Sequence, residues 1–252
     1  TSLTYDFVAR FRCGGLHLNW FVVDESILPN MSADIERALI RASQPLLGDC
    51  PQLCHEAIRF KEQFATSRAL TEHERTRCQA MLNAAIAMVF DLDEDEYRWI
   101  LRDCDYPSAQ LRSNDFTRTL SPKGFWRIDK AKMPELRLTT LSLVAFCEAR
   151  CNTSDRESAI VDFLSQNDGE GWQLPEQLRL AEHGLGHDVR AQKHQPVREC
   201  FGPRFYDWQL AQSAEESWRE CHLHARNLLS PAGYQALLDE LADKKPPNDP
   251  KS

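Results

Sequence analysis

The chain has 252 residues, of which 42% are hydrophobic, so it is long enough to bury a core in one large or two small globular units. Its 38 acidic and 30 basic side chains give a formal charge of -8, which excludes a uniformly basic coat for nucleic acid but leaves room for a local basic patch. No segment approaches the roughly 18 apolar residues that a membrane span needs. Because the nine cysteines are odd in number and scattered along the chain, we expect reduced thiols and a cytoplasmic protein.

The first 32 residues predict a connector with extended structure. An apolar run from Leu16 to Val23 follows the pair Gly14-Gly15 and ends before Pro29, a pattern that favours strands joined by a glycine turn. The chain opens directly into hydrophobic residues, as a segment cut from a longer protein would. We therefore expect residues 1–32 to lead out of a preceding domain.

Residues 33–150 predict a helical region. Capping boxes, in which a short polar side chain and a glutamate three residues later bind free backbone amides, mark three helix starts. They are Thr71 with Glu74, Asp93 with Glu96, and Ser154 with Glu157. Apolar residues at helical spacing predict a core helix over residues 72–90 and a helix over 134–150 that is buried on most sides. The predicted fold class is mainly α, a multi-helix domain with a short β segment near the N-terminus.

Residues 151–245 predict a second helical region that serves as a scaffold or a docking surface. Apolar residues between Ala211 and Leu228 recur at helical spacing and form one stripe, and Ser230-Pro231 ends that helix and begins another. We favour a core position over an interface for Trp218 in this stripe. Residues 246–252, which begin with two prolines, predict a flexible tail.

Charge is unevenly distributed along the chain. Residues 112–137 contain seven basic and three acidic side chains, a local charge of +4. Residues 151–252 contain 17 acidic and 11 basic side chains, a local charge of -6. The less regular stretches 104–132 and 183–207 predict long loops, which in compact proteins are usually functional or mobile. Any contact with DNA is therefore expected in the first half of the chain.

The segment from Ser121 to Lys132 interleaves aromatic and basic side chains. This mixture is typical of surfaces that bind phosphates and stack on bases or sugars. A surface loop that Phe125 and Trp126 anchor in the core is the alternative interpretation.

Several cysteine and histidine groups have to be weighed as metal sites or nucleophiles. They are Cys50 with Cys54 and His55, Cys147 with Cys151, Cys221 with His222 and His224, and His183 with His187. None has the paired two-residue spacing of a zinc finger or ribbon, and no nucleophile motif flanks a cysteine, so we favour buried thiols and structural or surface histidines. The chain also has no phosphate-binding glycine loop, which argues against nucleotide hydrolysis.

Residues 4–28, TYDFVARFRCGGLHLNWFVVDESIL, resemble a DYVARQKxGGTHLNFF element of large bacterial restriction-modification adenine DNA methyltransferases, which in that family follows the methyltransferase domain. Other stretches are similar to the same family, including the type IIG-like and phage-defence enzymes. They are Arg77–Leu101, Gly124–Lys130 with Pro134–Leu138, Glu216–Cys221 and Ala225–Pro231.

The chain departs from this family in several places. Asn83 stands where relatives usually have an aspartate, and Arg10-Phe11-Arg12 replaces the usual Arg-Gln-Lys. The adenine-site motif, Asn or Asp followed by Pro-Pro-Tyr or Pro-Pro-Phe, is missing, as is the glycine-rich strand end that holds S-adenosylmethionine. Methyl transfer needs both motifs to align the cofactor with the adenine amino group. We therefore expect no catalytic residue, no metal and no cofactor in this chain, whereas the resemblance implies S-adenosylmethionine for the parent protein.

The resemblance and the basic stretch together predict the target-recognition, DNA-binding part of a DNA adenine-N6 methyltransferase, with double-stranded DNA as its partner. Whether the parent also cleaves DNA stays open. The predicted DNA-binding residues are Arg10, Arg12, Lys123, Trp126, Arg127, Lys130 and Lys132. For Trp126, stacking on DNA and burial in the core stay equally open. The alternative function is a protein-interaction module whose acidic second half docks other subunits of a defence complex.

Overall fold

A computed structural model describes residues 2–13, 24, 26, 28–47, 51–59, 72–150, 155–174 and 207–243. Within these ranges the chain is mainly helical, as predicted, with twelve α-helices and no strand. The helices are α1 (Leu3–Arg12), α2 (Ala33–Leu47), α3 (Cys54–Arg59), α4 (Glu72–Val89), α5 (Glu94–Leu101), α6 (Ser108–Leu111), α7 (Asn114–Thr117), α8 (Leu138–Arg150), α9 (Arg156–Ser165), α10 (Asp207–Leu210), α11 (Ala214–Leu228) and α12 (Pro231–Asp243). Short 3-10 turns cover Pro51–Leu53, Phe125–Arg127 and Pro134–Leu136. None of the described helices is long and apolar enough to cross a membrane.

The expected β segment near the N-terminus is wrong for residues 3–12, which form helix α1. The Ser2 hydroxyl accepts a hydrogen bond from the Tyr5 amide and caps the first turn. Asp6 and Arg10 pair one turn apart, and so do the rings of Phe7 and Phe11, whose centroids are 4.8 Å apart. These local pairs favour a helix over a strand. The glycine pair and the apolar run at 14–23 lie outside the described residues.

The chain forms two compact units whose limits differ from the predicted ones. The first unit consists of Thr1–Ala42 and Thr76–Gly186, and the second of Ser43–Arg75 and His187–Ser252. The predicted boundaries at residues 32 and 150 do not coincide with either unit. Each unit is built from segments that are far apart in sequence, so no cut at a single position in the chain separates them. The predicted tail at 246–252 lies outside the described residues.

The core of the first unit forms around α4 and α8, as the spacing of apolar residues predicted. Small side chains such as Ala80 and Ala84 are fully buried in α4, and Leu141 and Phe146 are buried in α8. Helix α8 packs against α5 and α9. The Asn83 amide joins three elements of this core: its oxygen accepts from the Leu3 amide at 3.0 Å, and its nitrogen donates to the Ser142 hydroxyl at 3.2 Å. The start of α1 is thereby attached to α4 and α8.

Helix starts follow the predicted capping chemistry in part. The box of Asp93 and Glu96 is confirmed, with both reciprocal hydrogen bonds present. Helix α9 is capped by Asp155, whose side chain accepts from the Ser158 amide, and not by the predicted Ser154. A carboxylate accepts the free amides of a first turn as well as a hydroxyl does and also complements the helix dipole. Thr71 and Ser154 lie outside the described residues.

The second unit has its own small core, formed by α3, α11 and α12. Trp218 is 7% exposed in this core, which confirms the core position favoured from the sequence. Cys54, Cys221 and Leu237 pack in the same cluster. Helix α11 starts at Ala214 behind a capping box of Ser213 and Glu216 that the sequence analysis missed. The predicted stripe is therefore shorter than expected: Ala211 precedes the helix, and Leu228 is 51% exposed.

A buried guanidinium organises the loops that precede α8. The Arg137 side chain is fully buried and donates to the main-chain oxygens of Cys104, Tyr106, Lys130 and Lys132 and to the Ser108 hydroxyl. The bonds to the oxygens of Tyr106 and Lys132 measure 2.5 and 3.0 Å. An arginine has five N–H donors in a planar fork, so one residue can hold several carbonyls in place. The segments 104–108 and 130–137 are joined through this side chain.

Replacing Arg137 by Met is expected to lower the free energy of unfolding by about 3 kcal/mol or more, because several buried carbonyls lose their donor. Urea denaturation of the whole chain measures this. Arg118→Gln is the matched control, because Arg118 is 79% exposed and its ion pair with Asp115 spans 3.6 Å. The control should change stability by less than about 0.5 kcal/mol. Equal effects of the two substitutions would contradict the role given to Arg137.

Asp129 lies beside this network and is expected to make stability depend on pH. Burial raises the pKa of its carboxyl group, while the hydrogen bond that it accepts from the Leu138 amide at 2.7 Å acts in the opposite direction. A folded-state pKa above the ordinary value of about 3.9 means that stability from this group is present at low pH and lost as pH rises through the folded-state pKa.

Asp129→Asn keeps an oxygen for the Leu138 amide but cannot ionise. Relative to the unchanged protein, the variant should therefore gain stability as pH rises from about 3.5 to about 7. Urea denaturation of both proteins at the two pH values measures this difference. A difference that stays constant with pH would show that ionisation of Asp129 is not coupled to folding.

Candidate nucleic-acid interface

The predicted basic residues between Lys123 and Lys132 lie on a loop that two buried aromatic side chains attach to the first unit. Phe125 and Trp126 are 2% and 4% exposed, whereas Lys123, Arg127 and Lys130 are exposed and Lys132 is half-buried. Lys123, Arg127 and Lys130 form no ion pair with any residue of the described ranges. The loop is therefore anchored in the core and presents cationic groups to solvent.

Trp126 is a core residue in this structure. Its indole N–H donates to the Ser121 oxygen at 2.8 Å. The Arg127 guanidinium carbon and the Lys130 ammonium lie 5.4 and 6.0 Å from the centre of its ring. Of the two interpretations left open by the sequence, burial is the one that the structure has. The ring is not presented for stacking on a base, and it supports the two cations instead.

Arg10 and Lys123, which are 113 residues apart, meet in the fold. The Arg10 guanidinium donates to the Lys123 main-chain oxygen, pairs with Asp6, and lies 4.5 Å from the centre of the Phe125 ring. Its charge is thus largely compensated, and the side chain connects α1 to the basic loop. Arg12 is exposed at the end of α1.

Beside this connection lies a groove of about 190 Å³ that the sequence analysis did not predict. We call it the aromatic groove. Six of its lining residues matter here: Phe7, Phe11, Trp99, Arg102, Lys123 and Phe125. Phe11 is 73% and Trp99 51% exposed. The Arg102 guanidinium carbon lies 4.4 Å from the centre of a Trp99 ring, and the Phe7 and Trp99 rings meet edge to face at 5.6 Å.

Trp99 carried a signal that sequence reasoning overlooked. In α5 the residues Tyr97 and Leu101, one turn apart, are buried at 0% and 5%. Trp99 lies halfway between them and therefore belongs to the opposite, solvent-facing side of the helix. Helical spacing alone therefore places the Trp99 ring at the surface of the first unit.

The basic stretch contributes less surface charge than its composition implied. Of the seven basic residues between 112 and 137, Arg137 is fully buried in the loop network described above. Arg118 forms an ion pair with Asp115. The exposed cations of this stretch that form no ion pair within the described ranges are Arg112, Lys123, Arg127 and Lys130, and Lys123 also lines the aromatic groove.

The large pKa shifts of the first unit have structural causes. Burial raises the pKa of the Cys104 thiol to about 12 and raises that of the buried Tyr97 hydroxyl. A reactive cysteine needs a lowered pKa and a partner that stabilises the thiolate, so Cys104 is an inert core residue.

The candidate metal ligands named from the sequence form no cluster within the described ranges. Cys54 and Cys221 are buried in the second core, where the Cys221 thiol donates to the Cys54 oxygen at 3.6 Å. His222 contacts the Tyr234 hydroxyl, and His224 contacts Glu220. No group of three or more His, Cys, Asp or Glu side chains in the described ranges could hold a metal ion. Cys50, Cys151, His183 and His187 lie outside those ranges.

Comparison with known proteins identifies no relative: no family model, no curated protein and no solved structure matches the chain. The resemblance to adenine DNA methyltransferases therefore stays a prediction from the sequence. What the structure adds is the position of the predicted residues in a helical unit.

Gly124 is the residue that allows the basic loop to close over Trp126. A Cβ atom at this position would lie 2.6 Å from the Trp126 Cδ1 atom, closer than carbon atoms approach. Gly124→Ala should lower the free energy of unfolding by about 1–3 kcal/mol, because the buried indole or the loop must move. Chemical denaturation measures the change. Gly233→Ala is the control, since a Cβ there meets its nearest atom at 3.4 Å, and it should be neutral or stabilise by up to about 1 kcal/mol.

Proposed function

We propose that the chain is the DNA-contacting, target-recognition part of a larger DNA adenine-N6 methyltransferase of a restriction-modification or phage-defence system. The observation that carries the DNA-binding part of this proposal is the basic loop at 123–132. Its cations are exposed, and the loop is anchored in the core by Phe125 and Trp126. Lysine and arginine side chains on an anchored loop can bind the phosphate backbone, which supplies most of the affinity in DNA binding. The methyltransferase part of the proposal rests on the sequence resemblance alone.

The described residues do not fit S-adenosylmethionine. Sites of the kind implied by the resemblance lie at the ends of strands that lead into glycine-rich turns, and the described ranges contain no strand. In this proposal the cofactor and the chemistry of methyl transfer come from another part of the parent protein, because the sequence lacks both methyltransferase motifs. In this proposal the chain binds the duplex backbone and fixes the position of the parent protein along the DNA.

The overall charge of -8 also shapes the proposed contact. An acidic protein meets DNA most favourably through a face that carries cations, because its carboxylates repel the phosphates. The basic loop thus selects the orientation in which DNA is bound. Binding should be strongly weakened by salt.

Changing Lys123, Arg127, Lys130 and Lys132 to glutamine is expected to reduce affinity for duplex DNA and to flatten its dependence on salt. Each phosphate contact that is lost should remove about 0.9 from the slope of log affinity against log salt concentration. Fluorescence anisotropy with a labelled duplex at several salt concentrations measures both quantities in the whole chain. Far-ultraviolet circular dichroism checks that the variant is folded.

A charge-matched variant separates local contact from net charge. It replaces four exposed arginines that pair with carboxylates outside the basic loop: Arg37, Arg98, Arg156 and Arg219. If the basic loop is the contact, the control keeps most of the affinity and the salt slope. If both variants lose affinity equally, or neither does, the loop is not the DNA contact.

A docking function is the second candidate, and exposed apolar side chains of the second unit favour it. Leu223 and Leu228 of α11 are 55% and 51% exposed, and Trp208 is 57% exposed. Each of these side chains offers apolar area that a partner subunit could cover. Absence of duplex binding by the whole chain at low salt would make docking the better interpretation.

A further inference from the structure

We propose that the aromatic groove binds one unpaired nucleotide of DNA, with the base packed on the parts of the Trp99 and Phe11 rings that Arg102 and Phe7 leave exposed, and the adjoining phosphate held by Arg102 and Lys123. This inference rests on the proposed DNA-binding function and extends it from the duplex backbone to a base outside the stack. The groove lies next to the basic loop because Lys123 belongs to both.

Two aromatic side chains of the groove are exposed to solvent. Trp99 and Phe11 are 51% and 73% exposed, while the aromatic anchors of the adjoining loop are almost completely buried. Leaving two large rings in water forgoes the free energy of burial. In a concave site with a few polar groups, such rings are typical of a ligand surface.

The aromatic rings of the groove are held in place by their neighbours. Phe7 contacts Phe11 on one side and Trp99 on the other, with ring centres 4.8 and 5.6 Å apart. Helix α1, which carries both phenylalanines, is attached to the core through the hydrogen bond between the Leu3 amide and Asn83. A stacking surface that is already ordered costs little conformational entropy when it binds.

The groove is lined by basic and acidic side chains. Arg10 pairs with Asp6, whereas the Asp103 carboxylate accepts from the neutral Ser121 amide at 3.4 Å and therefore offsets part of the positive charge of the groove. Arg102 and Lys123 are exposed and form no ion pair within the described part of the chain. Two cations next to two exposed rings match a phosphate next to a base.

An unpaired nucleotide fits this combination better than a duplex does. Inside a duplex both faces of a base are covered by its neighbours in the stack, so a protein ring cannot lie on them. An unpaired base presents a free π-face, and ring stacking on it does not require a particular sequence. The basic loop without the groove would suffice for a duplex backbone.

The test compares Trp99→Ala in the whole chain with the unchanged protein, using a matched duplex and the same duplex with a short thymidine overhang. Fluorescence anisotropy gives the affinity for each. We expect the unchanged chain to bind the overhang substrate more tightly, and Trp99→Ala to lose about 5- to 150-fold of affinity for it while matched-duplex affinity stays the same. Trp99→Phe should restore most of the preference.

Trp208→Ala is the control, because Trp208 is an exposed tryptophan outside the groove. It should leave the preference for the overhang unchanged. A chain with no preference for the overhang, or a Trp99→Ala variant that keeps the preference, would overturn the inference. So would an equal loss of affinity for both substrates.

Failure of this inference is distinguishable from failure of the proposed function. If the basic-loop variant loses duplex affinity but Trp99→Ala changes nothing, only the stacking inference is overturned. If the basic-loop variant binds the duplex normally and Trp99→Ala removes the overhang preference, the stacking inference survives and the duplex contact is lost as an explanation.

Discussion

The buried guanidinium of Arg137 is the constraint on which the surface of the first unit depends. Away from water, each of its donors has to meet an acceptor, and the acceptors come from the two segments 104–108 and 130–132. The carbonyl dipoles offset the cost of burying the guanidinium charge only when all of these hydrogen bonds form together. The loop that carries the exposed cations is therefore fixed at its end by a cation that is not exposed.

Other buried polar groups follow the same principle and place the remaining parts of the site. Arg77 donates to the main-chain oxygens of Glu170 and Trp172, and Asn83 binds the first amide of α1. An amide can accept and donate at once, so Asn83 joins α1 to Ser142 without a buried charge, which an aspartate at this position would bring. Because α1 is held in this way, Phe7, Arg10 and Phe11 lie where the aromatic groove forms.

The proposed interface contains two kinds of aromatic side chain, buried ones and exposed ones. Phe125 and Trp126 are buried and their rings contact cations, whereas Phe11 and Trp99 are exposed and line a groove. Within the two functional proposals, the first pair holds the groups that meet phosphates, and the second pair meets a base. The same residue types thus serve as anchor or as contact according to which side of them the chain covers.

Short-range patterns in the sequence determined the helices: the spacing of apolar residues predicted the core helices α4 and α8 and the burial of Trp218, and capping chemistry predicted the box of Asp93 and Glu96. These features depend on neighbours within one or two helical turns, so the local sequence contains them. Tertiary structure alone decided that Trp126 is buried, that Arg137 is withdrawn from the basic surface, and that Arg10 meets Lys123. Each depends on segments far apart in sequence, because burial and partners are set by what packs against a side chain and not by its own position in the chain.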